Sequence, residues 1–214
     1  MKAVIFDMDG IIFDSERAYI KCWDPIEKEY NIPDLNETLY KCIGVNSNMA
    51  RDIFLEKYGD DFPLEKFQKI ASVNMRNLVD SGKLEKKEGI DDLLEYLKNE
   101  DIVIAVASST KSEAVKHELE LANILDYFET VIGGDMVTKS KPEPDIFLEA
   151  AKKIGVNPKD CLVIEDSYNG IRAAKAAGMT AFMVPDLLEP NDEMREKADK
   201  IFTSLVEVKN YLCN

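Results

Sequence analysis

Short apolar runs and amphipathic segments alternate along most of the chain. Runs rich in β-branched and aliphatic residues predict buried strands at residues 2–6, 102–107, 130–133, 161–165 and 180–184, with a short edge strand at 201–202. Segments with apolar residues at helical spacing predict helices at residues 90–97, 111–121, 145–154 and 168–177. Strands of this length that alternate with helices predict an α/β fold, in which helices cover both faces of a parallel sheet.

One long segment interrupts this alternation. Residues 15–84 contain no convincing strand pattern, and they predict helices at residues 16–30, 35–42, 48–58 and 64–81. An ordinary connection between a strand and the next element takes only ~2–6 residues. We therefore expect an inserted all-helical domain at residues 15–84, and an α/β core domain formed by residues 1–14 and 85–214.

The charge of the chain argues against some classes of partner. Its 214 residues carry 27 Lys and Arg against 41 Asp and Glu, a net charge of -14. A nucleic-acid-binding protein would carry the opposite excess, so we expect no nucleic acid as a partner. An anionic substrate would need a local positive site, built from a cation or a lysine.

The apolar runs also bear on location. None approaches the ~18 residues that a membrane-spanning helix needs, which predicts no membrane contact. Asp7 and Asp9 interrupt the apolar stretch at the N-terminus, where a signal peptide would need ~7–15 apolar residues. We expect a cytoplasmic protein.

Cysteine and histidine offer little for chemistry. The four cysteines lie far apart without a C-x-x-C pair, which fits neither a zinc site nor a disulfide framework. His117 is the single histidine, and it lies in a helical pattern where a solvated side chain is the simplest interpretation. Mechanisms that need two histidines are excluded.

Acids, hydroxyls and one lysine follow the predicted strands. In open α/β sheets, ligands bind at the carboxyl ends of the strands. Four separate segments deliver polar side chains to that edge: Asp7 and Asp9; Ser108 and Ser109; Lys141; and Glu165 and Asp166. This coincidence is stronger than any one of the four signals.

These residues make chemical sense together. Clustered carboxylates repel one another unless a cation lies between them, and oxygen ligands without sulfur or imidazole favour Mg²⁺ over Zn²⁺. The carboxylate of Asp7 can attack phosphorus and form an acyl phosphate. Lys141 and Ser108 can hold the phosphoryl oxygens, and Asp9 can protonate the leaving oxygen and later take a proton from water.

Each signal also has a simpler interpretation. The D-x-D-G run at residues 7–10 can be a turn, and the hydroxyl run at 108–110 can be the N-cap of the helix predicted at 111–121. Lys141 can be a solvated loop residue, and Glu165 and Asp166 can belong to the start of the following helix. All four simple readings would have to hold at once for the site to be absent.

The ordered motifs resemble the haloacid dehalogenase superfamily, in its phosphatase branch, which includes β-phosphoglucomutase-like and phosphoglycolate phosphatase-like members. The sequence stretches that resemble its four motifs are residues 7–15 (DMDGIIFDS), 107–109 (ASS), 141–145 (KPEPD) and 165–170 (EDSYNG). The match continues through residues 171–179 (IRAAKAAGM). The resemblance implies a doubly wound, Rossmann-like core whose inserted helical cap domain closes over the substrate.

The resemblance also implies a role for each matching residue. Asp7 would be the nucleophile and a Mg²⁺ ligand, and Asp9 would be the general acid/base, which binds the metal through its backbone carbonyl. Ser108 and Lys141 would bind the phosphoryl group, with Ser109 as a further substrate contact. Asp166 would bind Mg²⁺, and Glu165 would bind it directly or through water. We expect a monomer that acts on a small-molecule phosphate ester.

Two positions refine the expected activity. Dehalogenases of this superfamily lack an acid at the position of Asp9, so its presence favours phosphoryl transfer. β-Phosphoglucomutase carries a histidine and an arginine in the cap where this chain has Tyr19 and Ser47, which favours a phosphatase over a mutase. The substrate contacts predicted in the cap are Tyr19, Gly44, Asn46 and Asn48.

Two other classes of protein remain as alternatives. A signalling receiver module also combines acids, a hydroxyl, a lysine and Mg²⁺, but it places its acceptor aspartate after the third strand and has no helical insert. A catalytically silent scaffold would lack one of the motifs, and none is missing.

Overall fold

The chain forms two compact units. The computed structural model describes residues 1–43 and 47–214. One unit combines Met1–Asp14 with Glu85–Asn214, and the other is Ser15–Leu84. They are called the sheet unit and the helical unit below.

Five helices lie in the described part of the helical unit. They are α1 (Ser15–Lys21), α2 (Asp24–Tyr30), α3 (Leu35–Lys41), α4 (Ser47–Tyr58) and α5 (Leu64–Asp80). The single helix predicted at residues 16–30 is wrong, because the chain breaks between α1 and α2. Pro25 lies in the first turn of α2, where a missing N–H costs nothing, whereas inside a continuous helix its ring would clash with the preceding turn.

Aromatic side chains form the core of the helical unit. Trp23 is almost fully buried and stacks on Phe54, with the ring centroids 5.8 Å apart. The ring of Phe62 stacks on those of Phe54 and Tyr58, with centroid distances of 5.8 Å and 4.7 Å. Each of these large side chains buries much apolar area, so a small number of them is enough to stabilise a unit of this size.

The sheet unit is built on six parallel strands. They are β1 (Ala3–Phe6), β2 (Val103–Ser108), β3 (Thr130–Gly133), β4 (Cys161–Glu165), β5 (Thr180–Met183) and β6 (Lys200–Ile201). Their order is β3-β2-β1-β4-β5-β6. Phe6 pairs with Val106 on one side and with Ile164 on the other, so the carboxyl ends of the three central strands lie level. The predicted α/β class and parallel sheet are confirmed.

Helices cover both faces of this sheet. They are α6 (Ile90–Asn99), α7 (Ser112–Leu121), α8 (Asp145–Lys153), α9 (Tyr168–Ala176), α10 (Asp192–Lys197) and α11 (Leu205–Leu212). Ala3, Ile5 and alternate residues of the neighbouring strands pack with α8, α9 and α10 in one buried cluster. Because strand side chains alternate between faces, Val4 and Phe6 point to the opposite layer, where α6 contacts β2 and α11. Helices α10 and α11 were not predicted from the sequence.

Two further predictions concern cysteine and the membrane. All four cysteines are free thiols, as their spacing predicts. Among the helices that the structure describes, none combines the length and the apolar character needed to cross a bilayer.

Candidate active site

The strand order reverses direction at β1. From β1 the chain builds outward through β2 and β3 on one side, and through β4 to β6 on the other. In doubly wound sheets the crevice at such a reversal is the usual place for a ligand. Asp7 follows β1 directly, and its N–H donates to the carbonyl of Ile164 at 3.0 Å, so the sheet pairing holds its backbone.

A tight turn carries the chain away from Asp7. The carbonyl of Met8 accepts from the N–H of Ile12 at 2.8 Å, and Gly10 N–H donates to the carbonyl of Phe13 at 2.9 Å. Gly10 has a φ of 76°, in the region that favours glycine, and an added Cβ would lie 2.4 Å from Oδ2 of Asp166. A glycine at this position therefore both makes the turn and admits the carboxylate of Asp166.

Three carboxylates meet at the ends of β1 and β4. Asp7, Glu165 and Asp166 each offer an oxygen, and these oxygens all lie within 4.8 Å of one another. All three residues are buried. Three of the four residues predicted to bind metal are thus brought together by their side chains.

Lys141 places its ammonium among these acids. Its Nζ donates to Oδ1 of Asp7 at 2.5 Å, to Oε1 of Glu165 at 2.8 Å and to the carbonyl of Ala107 at 3.2 Å. Burial lowers the pKa of Lys141, but its ion pairs with the two carboxylates raise that pKa by a larger amount, so the net shift is upward. Lys141 is therefore a fixed positive charge and no solvated loop residue.

Several acids surround Lys141. The pKa of Asp7 is raised to about 8: burial is the largest cause, the charges of Glu165 and Asp9 add to it, and Lys141 opposes it. Asp7 thus has a raised pKa and two further carboxylates close to it. A divalent cation bound among these carboxylates would neutralise their charge. The donor set consists of oxygens, which fits a hard cation such as Mg²⁺.

Glu165 has partners on both carboxylate oxygens. Oε1 accepts from Lys141, and Oε2 accepts from the N–H of Ser167 at 2.7 Å and from its hydroxyl at 2.9 Å. The Ser167 hydroxyl in turn accepts from Gly170 N–H at 3.0 Å, which caps α9. A Cβ added to Gly170 would lie 1.7 Å from Oε1 of Glu165. The space that Gly170 leaves open is filled by this carboxylate.

The end of β2 carries a buried serine and a neighbouring threonine. The Ser108 side chain accepts from Thr110 N–H at 3.1 Å, and the residue is fully buried. The Thr110 hydroxyl donates to Oδ2 of Asp9 at 3.2 Å. Ser109 is exposed. The predicted phosphoryl-binding segment and the predicted acid are thereby linked by one side chain.

Asp135 caps the N-terminus of α7, the role that the sequence predicted for the hydroxyls of residues 108–110. Oδ1 of Asp135 accepts from Ser112 N–H at 2.7 Å, and Oδ2 accepts from the Ser112 hydroxyl at 3.0 Å. Lys111, which precedes α7, makes no side-chain cap bond. The interpretation of the hydroxyl run as the N-cap of this helix is wrong, because an acid from the segment after β3 occupies that place.

Glu118 on α7 is a half-buried acid in the neighbourhood of Asp9. Its pKa is raised to about 7, mainly by burial and also by the charge of Asp9, while His117 lowers it. His117 itself is exposed on the same helix. The sequence did not single out Glu118.

The predicted substrate contacts of the insert all belong to the helical unit. Tyr19 is half-buried with its ring 6.3 Å from that of Trp23, and burial raises the pKa of its hydroxyl. Asn48 is exposed near the start of α4. Gly44 and Asn46 lie outside the residues that the structure describes.

Thr110 and Gly170 also escaped the sequence interpretation of the site. Thr110 was interpreted only as part of a capping run, and that run gives no sign in sequence of the bond to Asp9. Gly170 was noticed within a motif, but a glycine in the first turn of a helix gives no sign in sequence of the carboxylate that it admits.

Known proteins resemble this chain along most of its length. Residues 4–184 match the family described as haloacid dehalogenase-like hydrolase. A phosphorylated carbohydrates phosphatase of Thermotoga maritima is 32% identical over 179 residues, which cover 84% of this chain and 82% of the relative. The β-phosphoglucomutase of Bacillus subtilis is 38% identical over 192 residues, which cover 85% of this chain and 82% of that enzyme.

A solved structure agrees with the fold. The crystal structure of a hydrolase of the same family from Deinococcus radiodurans, with bound phosphate and sodium, has a TM-score of 0.85 and is 25% identical. The alignment covers 100% of this chain and 95% of that protein.

Proposed function

The chain belongs to the haloacid dehalogenase-like hydrolases, and we propose that it is a Mg²⁺-dependent phosphatase that hydrolyses a small phosphomonoester through an aspartyl-phosphate on Asp7. The coarser part, a hydrolase of phosphate esters, has the support of the phosphatase relatives and of the acidic cluster. The observation that carries the finer proposal is the position of Lys141, whose ammonium binds Asp7 and Glu165 within one buried group of acids.

The carboxylates of the site are suited to hold the metal. Asp7 and Asp166 would bind Mg²⁺ together with the backbone carbonyl of Asp9, and Glu165 would act directly or through water. The bound cation would offset the excess of negative charge around Asp7 and the charge of the phosphoryl oxygens. Because both oxygens of Glu165 already accept hydrogen bonds, its contribution through water is the arrangement that keeps those bonds intact.

The first chemical step transfers the phosphoryl group to the enzyme. A carboxylate oxygen of Asp7 attacks phosphorus while the bond from phosphorus to the ester oxygen breaks. Asp9 gives its proton to that oxygen, so the alcohol leaves neutral and Asp9 becomes a carboxylate. Lys141 orients Asp7 through its bond to Oδ1, and Lys141 with Ser108 would hold the phosphoryl oxygens.

The second step restores the enzyme. The Asp9 carboxylate takes a proton from water as the water oxygen attacks phosphorus. The bond between phosphorus and Asp7 breaks, inorganic phosphate leaves, and Asp9 is again the acid for the next cycle. The same residue thus serves as acid and then as base.

The two units divide the work in this proposal. The sheet unit is the catalytic domain, and the helical unit serves as the cap domain that selects the substrate. Tyr19, Asn48, Gly44 and Asn46 are the candidate contacts of the helical unit, and Ser109 is a further candidate in the sheet unit. The reaction needs water, a metal ion and a phosphate ester, and it does not need a second protein chain. We therefore propose that the protein acts as a monomer, in the cytoplasm.

Mutase activity is the second candidate, and a specific observation favours it. The Bacillus subtilis relative that is 38% identical is a β-phosphoglucomutase. Incubation with β-glucose 1-phosphate and a trace of glucose 1,6-bisphosphate separates the two. We expect net release of inorganic phosphate, whereas accumulation of glucose 6-phosphate would establish the mutase.

The phosphatase is tested with p-nitrophenyl phosphate. We expect hydrolysis that requires Mg²⁺, and we expect Asp7→Asn to abolish it because the amide is a poor nucleophile. Asp101→Asn is the matched control: Asp101 lies before β2, away from the carboxyl ends of the strands, and asparagine tolerates its φ of 54°. Full activity of Asp7→Asn, or of the wild-type protein in excess EDTA, would refute the mechanism.

A further inference from the structure

We propose that Thr110 is a positioning residue that holds the carboxyl group of Asp9 for both of its proton transfers. This inference rests on the proposed function, since it assigns Asp9 the role of acid and base. Its carrying observation is the hydrogen bond from the Thr110 hydroxyl to Oδ2 of Asp9, at 3.2 Å. The two residues are 101 positions apart in sequence, so the contact exists only because β1 and β2 end side by side.

The backbone of Thr110 is held on two sides. Its N–H donates to Oγ of Ser108 at 3.1 Å, and its carbonyl accepts from Gly134 N–H at 2.9 Å. A Cβ added to Gly134 would lie 2.4 Å from the carbonyl oxygen of Ser109, so the segment after β3 packs directly against this turn. The hydroxyl of Thr110 therefore starts from a fixed position, which reduces the entropy lost when it orients Asp9.

The common structural explanation for a threonine at this place fails. A hydroxyl just before a helix usually caps its free N–H groups. Here the first turn of α7 is capped by Asp135, which accepts from both the N–H and the hydroxyl of Ser112. Thr110 turns its hydroxyl to Asp9 instead.

A hydroxyl suits an acid that must later act as a base. Its O–H donates to Oδ2 of the ionised carboxylate, and Oδ2 can accept the same bond while the acid proton lies on Oδ1. An ammonium would favour the ionised form of Asp9 through its charge, whereas the neutral hydroxyl leaves Asp9 able to take up a proton. Thr110 can thus remain bonded to Asp9 before and after the proton leaves, which keeps the carboxyl group in place through both steps.

The test compares two esters with similar shapes. Phenyl phosphate releases phenol, whose pKa is ≈ 10, and its departure needs a proton, whereas p-nitrophenolate is a far weaker base that leaves without one. The ratio kcat/KM reports the step in which the leaving group departs. We expect Thr110→Val to lower kcat/KM for phenyl phosphate ~10-fold, the worth of a hydrogen bond to a charged group, and for p-nitrophenyl phosphate less than ~3-fold.

Three further variants keep the test decisive. Thr110→Ser retains the hydroxyl, and it should bring the ratio of the two kcat/KM values back towards that of the wild-type protein. Thr110→Ala repeats the loss with a smaller side chain, should the valine disturb the turn. Thr180→Val is the control, because Thr180 is exposed at the amino end of β5, and it should leave both values unchanged.

The outcomes separate this inference from the proposed function. Equal losses for the two esters, no loss, a gain in rate, or unfolding of both Thr110→Val and Thr110→Ala would overturn the positioning role. If Asp9→Asn lowers kcat/KM selectively for phenyl phosphate but Thr110→Val does not, the positioning role of Thr110 is overturned while the proposed function stands. A wild-type protein that hydrolyses neither ester in Mg²⁺ would contradict both.

Discussion

The substitution Gly170→Ala should destabilise this protein, although alanine is the better helix former. Gly170 lies in the first turn of α9, and alanine in a helix is ordinarily worth ~1 kcal/mol over glycine. The added Cβ would lie 1.7 Å from Oε1 and 1.8 Å from Cδ of Glu165. Atoms that are not bonded to each other cannot approach so closely, so the carboxylate of Glu165 must move.

The cost of that movement follows from the bonds that hold Glu165. Its carboxylate accepts from Lys141 at 2.8 Å and from the N–H and hydroxyl of Ser167 at 2.7 and 2.9 Å, and the residue is 1% exposed. Breaking a buried ion pair costs about 3–5 kcal/mol, because a charge is left without its partner. After the gain of ~1 kcal/mol in helix propensity, we expect Gly170→Ala to lower the free energy of unfolding by ~2–4 kcal/mol.

The measurement is urea denaturation of four proteins: the wild-type chain, Gly170→Ala, Glu165→Ala and the double variant. The Glu165→Ala substitution removes the three atoms nearest to the new methyl group, so Gly170→Ala should be neutral or slightly stabilising in that background. The cycle should therefore show a coupling of more than ~2 kcal/mol. An equal loss of stability in both backgrounds, or no loss in the wild-type background, would refute the reasoning.

Three further predictions test the site more broadly. Lys141→Met should abolish phosphatase activity, measured as steady-state rates. In EDTA it should also lower the free energy of unfolding, measured by urea titration, by ~3–5 kcal/mol, because Asp7 and Glu165 lose the buried ammonium that pairs with them. Asp9→Asn should lower kcat/KM for phenyl phosphate by ~10²–10⁴-fold yet leave Mg²⁺ affinity by calorimetry nearly unchanged, because its backbone carbonyl remains; a weakened metal site would contradict this. Glu118 has a pKa raised from 4.5 to about 7, so the folded state loses stability relative to the unfolded state as pH rises through that window. Glu118→Gln should remove this loss and stabilise the protein at pH 8 by ~1–2 kcal/mol in thermal unfolding, a value discounted for partial exposure. Glu120→Gln, at an exposed position of the same helix, is the control for the loss of one carboxylate.

The architecture of the sheet was predictable because its signals are local. Each central strand is a short apolar run, and Asp7, Glu165 and Asp166 end or directly follow such a run, so these acids could be located from sequence together with the strand ends. Lys141 lies further along the chain, in the segment between β3 and α8. The break between α1 and α2 was missed although Pro25 marks it, because the apolar spacing continues across the proline. Helix α10 has only six residues, too few for a clear period.

The contacts that refine the site were beyond the sequence because they join distant segments. The bond from Thr110 to Asp9 and the cap that Asp135 provides for α7 each depend on the ends of two strands lying side by side. The space above Gly170 depends on the direction in which Glu165 points from β4. Residue type and spacing predict which groups meet at an edge of the sheet, but not which hydrogen bonds they choose there.

The central claim, that Asp7 carries the phosphoryl group, can be tested by trapping the intermediate. The enzyme is acid-quenched during turnover of p-nitrophenyl phosphate and treated with borohydride, which reduces an acyl phosphate to an alcohol. Peptide mass spectrometry should then find homoserine in place of aspartate at Asp7, and only in samples that received substrate and Mg²⁺. Phosphate release without modification of Asp7, or modification of another residue, would contradict the account.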